Sequence, residues 1–251
     1  MEAILTVKDL CKTFSNKNIQ QHVLKNLNLQ VMRGDFTVVM GNSGSGKSTL
    51  LYALSGMDRP TLGSISFGGE EISKYTNDKL ALFRRNHCGF VFQQNYLNDT
   101  MSILDNIMLN GLLVNKNRKA LAQRAKTLLK QVKLSEHVYD KFPSQLSGGE
   151  QQRAALVRSV INTPEILFAD EPTGALNSQN TEAVLDVLTQ LNRQGQSIVM
   201  VTHAIHAALR GNRILYLQDG VITSELSLGA YQGQDEGRHR QLYAFLQEMG
   251  W

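Results

Sequence analysis

The stretch GNSGSGKS, Gly41–Ser48, limits what this chain can fold into more than any other segment. It has the spacing G-x-x-x-x-G-K-[ST]. It stands between DFTVVM (35–40), a short apolar run bounded by Gly34 and Gly41, and KSTLLYALSG (47–56), whose leucines recur at helical spacing up to a stop at Gly56. A short run that is apolar throughout reads as a strand buried on both faces, and such strands belong to parallel sheets covered by helices. Glycines let successive backbone N–H groups turn inward around anionic oxygens. The helix starting near Lys47 aims the positive end of its dipole at the same point. The loop therefore reads as a phosphate cradle made by Gly41, Asn42, Ser43, Gly44, Ser45 and Gly46. Lys47 is expected to reach the outer phosphates, Ser48 to ligate Mg²⁺ through its hydroxyl, and Thr49 to touch the α-phosphate.

The remaining pattern is α/β. Ile4–Leu10 and Val23–Val31 alternate apolar and polar residues, as half-buried strands do, on either side of the loop SNKN (15–18). The first third reads mostly as strands, and the middle, Asp99–Val160, as helices. There Leu121, Ala125, Leu128, Leu129 and Val132 share one helical face. EILFAD and SIVMVTH are two further apolar runs, each followed by a helical segment. RILYLQDGVITSEL reads as a hairpin turning at Asp219-Gly220, and RHRQLYAFLQEMGW as a closing amphipathic helix.

Chemistry-bearing residues fall at the ends of these runs. Asp170 ends EILFAD, where a carboxylate can hold Mg²⁺, and Glu171 follows as the candidate that polarises an attacking water. Pro172 stops the strand, so both acids lie at the carboxyl edge of the sheet, where α/β proteins bind ligands. Gln93, with Gln94 as alternative, ends GFVFQQ and is placed to touch Mg²⁺ or the water. His203 ends SIVMVTH, within reach of the outermost phosphate. Phe14 reads either as a platform for adenine or as a core aromatic.

A second glycine-rich anion grip, LSGGEQ, lies at Leu146–Gln151. Ser147, Gly148 and Gly149 begin a helix, with Glu150 in its first turn. GNSGSGKS, VFQQ, LSGGEQQR, ILFADEPTGALN and VTH, in that order, resemble the nucleotide-binding domain of an ABC (ATP-binding cassette) ATPase over nearly the whole chain. The resemblance implies a P-loop NTPase core with a mostly parallel central sheet, an N-terminal antiparallel β subdomain and a helical subdomain inserted at roughly 95–160. It implies one cassette over 1–251, with 221–251 as a C-terminal extension. It implies binding of ATP with Mg²⁺, and a head-to-tail homodimer in which Ser147, Gly148, Gly149 and Glu150 of one copy close on the γ-phosphate held by the other. It implies an integral membrane permease as partner, docked near 93–110, and a cytoplasmic location on the inner face of the membrane. Details of GMDRPTLGSISFGGEEIS and of the QLYAFLQEMGW tail are similar to the branch that includes lipoprotein release, macrolide export, cell division and bacitracin-type peptide resistance, leaning to the last.

Composition narrows the alternatives. A net charge of +4 is compatible with nucleic acid, phosphate ligands or an acidic surface and selects none. A cassette acting on ribosomes or DNA usually carries two copies in one chain or a long coiled-coil insertion, and this chain has neither, so no nucleic-acid partner is expected. No run of eighteen apolar residues occurs, so no direct membrane insertion is expected either. Cys11 and Cys88 form no CxxC pair and read as reduced thiols. Lys116–Lys133 carries seven basic residues and no acid, a solvated face opposite the apolar stripe or a lipid or nucleic-acid contact. The chain departs from the family pattern at Asn177, where the family has aspartate, and at Ala204. The first bears on coupling between the paired sites.

Overall fold

In the segment Phe36–Met40, Val38 and Met40 point to one side and Val39 to the other, and all three are buried. A strand of this kind requires a covering layer on each face, and the computed structural model supplies both. It describes residues 2–16, 19–233 and 235–251. The main sheet has the order β10-β9-β3-β8-β7-β6, from β3 (Phe36–Met40), β6 (Cys88–Phe92), β7 (Ile166–Asp170), β8 (Ser197–Val201), β9 (Arg213–Gln218) and β10 (Val221–Ser227). Five of these six strands run parallel and only β10 is antiparallel, to β9. An antiparallel sheet of order β2-β1-β4-β5 lies beside it, built from β1 (Ala3–Asn16), β2 (Ile19–Met32), β4 (Leu62–Phe67) and β5 (Glu70–Glu71).

The period-two alternation of the central strands sorts the core into two layers. Val39, Phe168, Val199 and Leu215 pack with the antiparallel sheet, α1 (Lys47–Leu54) and α2 (Asn77–His87). Val38, Ala169, Met200 and Ile214 face the opposite layer. That layer holds α3 (Ile103–Leu112), α4 (Arg118–Gln131), α5 (Gly148–Val160), α6 (Ser178–Arg193), the single turn α7 (Ile205–Ala208) and α8 (Glu236–Glu248). The apolar stripe of α4 is buried at Leu121, Ala125 and Leu129.

The structure departs from the pattern reading in two places. Ser15 and Asn16 of the SNKN loop belong to β1, paired with Gln20 and Ile19, while Lys17 and Asn18 lie outside the described residues. A second helix, α2, which the pattern does not mark, follows β5, started by the Thr76 hydroxyl accepting from Lys79 N–H. Val221–Ser227 pairs antiparallel with β9, as the hairpin reading expects, and forms the edge of the main sheet. Among the described residues no helix is long and apolar enough to cross a membrane.

Candidate functional site

The glycine loop leaves β3 through Gly41, at φ +152°, where a side chain would place its Cβ 2.0 Å from the Leu217 carbonyl oxygen. Only glycine permits that approach. Gly46 (φ +103°) is the N-cap of α1 and adds no side-chain cap, which leaves the first N–H groups of the helix directed into the loop. Lys47 Nζ donates to the carbonyls of Gly41 (2.7 Å) and Asn42 (3.0 Å), so the ammonium lies across the mouth of the loop. Burial lowers the pKa of Lys47, against the pull of Glu171 and Asp170 in the other direction. The buried Ser45 hydroxyl has no hydrogen-bond partner among the described residues. An inward-facing set of donors, one of them unsatisfied, fits an anion with several acceptor oxygens. Asn42, Ser43 and Gly44 are exposed at the loop tip, and Thr49 is half-buried on α1.

Opposite the loop, the parallel register of β7 and β8 brings the two acids and His203 together. Ser48 Oγ donates to Asp170 Oδ1 at 3.0 Å, and Tyr52 OH donates to Asp170 Oδ2 at 2.8 Å. A hydroxyl beside a single carboxylate is a hard-oxygen donor set with room for phosphate oxygens and water, which suits Mg²⁺. Burial, and then the Asp170 carboxylate, push the Tyr52 phenol up to about 12, so it remains a donor. Glu171 has φ +46°, an uncommon value for a residue with a side chain. Its Oε1 accepts from the backbone N–H of His203 (3.0 Å) and faces His203 Nδ1 at 2.8 Å, while Oε2 accepts from Thr202 Oγ1 (3.0 Å). A carboxylate only accepts, so His203 Nδ1 is the donor of that pair.

Gln93 is exposed just beyond β6 and its amide lies over Gly174, where an added Cβ would come within 3.0 Å of Nε2. Gln94 is exposed beside it. Phe14 is 46% exposed near the end of β1, with Lys12 Nζ 4.8 Å from its ring centre, so it is not a core aromatic.

The second grip is at the start of α5. Ser147 is the N-cap, and its hydroxyl accepts from Glu150 N–H while Glu150 Oε2 accepts from Ser147 N–H (2.9 Å) and Oγ (2.7 Å). This reciprocal box holds the loop in shape and keeps the Glu150 carboxyl below its ordinary pKa. Gly149 is pressed against Asn180, with an added Cβ only 2.2 Å from that side chain. Asn177 caps α6 through its side-chain oxygen, which accepts from Asn180 N–H at 3.0 Å. Tyr52 is the site residue that the motif reading misses. Its one signal is the spacing, four positions after Ser48 on a helix, which puts both hydroxyls on one face.

The geometry gathers a glycine loop that fits an anion, a paired acid edge and a second glycine-rich helix start in one chain. A family model described as ABC transporter matches residues 24–174. The chain belongs to the ABC transporter family. This ATP-binding cassette is 40% identical over 228 residues to the bacitracin export ATP-binding protein BceA of Halalkalibacterium halodurans, covering 90% of each chain. It is 40% identical over 222 residues to the macrolide export ATP-binding/permease protein MacB of Aggregatibacter actinomycetemcomitans, where it spans 88% of this chain and 34% of that one. The cassette thus corresponds to about a third of the macrolide-export relatives. Among solved structures, a dimeric post-hydrolysis state of the ATP-binding cassette MJ0796 bound to ADP and Pi superposes with a TM-score of 0.81 at 36% identity, over 90% of this chain and all of that one.

Proposed function

We propose that this cassette hydrolyses ATP with Mg²⁺ as one of a pair of identical subunits. In this reading it powers a membrane permease that confers bacitracin-type peptide resistance. The observation that carries the reading is the end of β7, where Asp170 meets Ser48 of the phosphate loop and the adjacent Glu171 is held by Thr202 and His203.

The loop amides from Gly41 to Ser48 bind phosphate oxygens, and Lys47 exchanges its two carbonyl partners for phosphate charge. Ser48 and Asp170 would hold Mg²⁺, with Gln93 close by on the loop after β6. The bound nucleotide supplies the phosphoanhydride whose cleavage drives the cycle. Glu171 takes the proton of a water, steadied from behind by Thr202 and His203, and His203 stands at the strand edge beside the outermost phosphate. Phe14 offers a ring face for the base.

Ser147, Gly148, Gly149 and Glu150 serve the site of the second copy, and twofold symmetry then completes two equivalent pockets. The dimeric MJ0796 structure supports this pairing. The closed pair is favoured only while both grips share an intact γ-phosphate, and that difference in affinity is what performs work. Exposed Tyr96 and Leu109, within 93–110, support docking of the permease on that surface, which keeps the cassette peripheral on the inner face of the membrane. The near-complete mutual coverage with BceA supports the peptide-resistance assignment; the similarity to MacB favours macrolide export as the second reading.

The Glu171→Gln variant tests the hydrolytic assignment. It is expected to bind ATP normally, to lose phosphate release by about 10²–10⁴-fold, and to sediment as a dimer in saturating Mg·ATP. Rapid turnover by this variant would remove Glu171 from its role.

A further inference from the structure

The Asp170 carboxylate is held at both oxygens from a single helix. Ser48 and Tyr52 are one turn apart on α1, so their hydroxyls stack along one face, and one meets Oδ1 while the other meets Oδ2. The two contacts have different fates under the proposed function. Ser48 is itself a metal ligand there, so its bond to Asp170 must loosen when Mg²⁺ enters. Tyr52 lies a turn further from the loop and has no such second task. It is therefore the one hydroxyl that can stay on the carboxylate in both situations. We propose that Tyr52 is a positioning residue for Mg²⁺, whose hydroxyl fixes Asp170 with Oδ1 turned toward Ser48.

The physical need for such an anchor lies in the side chain itself. The terminal torsion of aspartate is broad and roughly twofold, so an unanchored carboxylate samples many orientations at little cost. Asp170 ends a strand beside the open edge of the sheet, and the strand fixes its Cα without fixing that torsion. The bond from Tyr52 is charge-assisted and the ring is half-buried, so it is short of competing water. Pre-orienting a ligand spares the metal that ordering, and the gain appears in metal affinity instead of in the grip on phosphate, which the loop supplies.

The test is an Mg²⁺ titration of a fluorescent ATP analogue bound to the full chain, with Tyr52→Phe and Tyr52→Met. Both variants remove the hydroxyl, and they differ in packing. Each is expected to bind the analogue in EDTA within twofold of the parent, and to need about 5–10-fold more Mg²⁺ for half-maximal response. An unchanged Mg²⁺ requirement in both variants overturns the proposal. So does an effect in Tyr52→Met alone, or an equal loss of binding in EDTA, because either assigns Tyr52 to packing. The inference rests on Asp170 being the metal-side carboxylate, and Asp170→Asn separates the two ideas. If that variant also leaves the Mg²⁺ requirement unaltered, the reading of Asp170 fails and that of Tyr52 falls with it.

Discussion

Removing the guanidinium of Arg238 should detach the last helix while leaving the nucleotide site intact. Arg238 is 6% exposed and makes no ion pair among the described residues. Its guanidinium instead donates to four backbone carbonyls, those of Leu209 (2.7 Å), Leu228 (2.8 Å), Gly229 (3.1 Å) and Gly211. Burial lowers its pKa, which records the cost of keeping this charge away from water. In Arg238→Leu, water can reach the exposed Gly229 carbonyl, but Leu209 and Gly211 are buried. Two buried acceptors left unsatisfied cost about 1–3 kcal/mol each. The relief from no longer burying a charge offsets part of this, so a net loss of about 3 kcal/mol is expected. Because α8 packs on the layer away from α1, the loss should appear as local opening. Amide exchange of Leu242, Phe245 and Leu246 should accelerate by roughly 100-fold, since each 1.4 kcal/mol is tenfold. Binding of ATP should hold within twofold. Exchange at those amides unchanged within threefold would refute the assignment of Arg238 as the pin of this helix.

Other consequences are open to measurement. Gly149→Ala pushes a methyl into Asn180 and should abolish ATP-driven pairing in sedimentation while ATP binding by the single subunit persists; adding Asn180→Ala should restore part of the pairing. Arg213 forms a two-point contact with Glu225 (2.6 and 2.8 Å), and this bond holds the Glu225 carboxyl below its ordinary range. A depressed carboxylate contributes stability above its unfolded pKa and loses it as pH falls through the folded one. Glu225→Gln should therefore lower the free energy of unfolding slightly at pH 7, by less than about 1 kcal/mol because the pair is partly exposed, and the difference from the parent should shrink as pH falls below the ordinary carboxylate range.

The strands and helices nearest the chemistry are legible in the sequence because each is locally decided. FTVVM, ILFAD and SIVMV are each apolar at four of five positions, and a strand covered on both faces buries such a run. The loop between Gly41 and Ser48 is legible through its glycines. The helix α2 escapes notice because it buries only Leu80 and Phe83 among eleven residues, too few to make a periodic signal. The strand order escapes too, since pairing of β3 with β8 and β9 is decided by residues far away in sequence. Tyr52 illustrates the same limit at the site. It reads as one more helical residue until β7 sets a carboxylate opposite its hydroxyl. Asn177 works the other way: the motif marks it as a departure, and the structure gives it a local task as the cap of α6.

The central position of β3 has a consequence for how the protein is made. Both neighbours of this strand, β8 and β9, come from Ser197–Gln218, roughly 160 residues or more further along the chain. At about 5–20 residues per second, a ribosome needs on the order of 10–30 s to cover that stretch. During that time the phosphate loop hangs from a strand with no lateral partner. A nascent chain halted before residue 197 should therefore fail to retain nucleotide, however complete its glycine loop, and the ability to hold ATP should switch on late in synthesis.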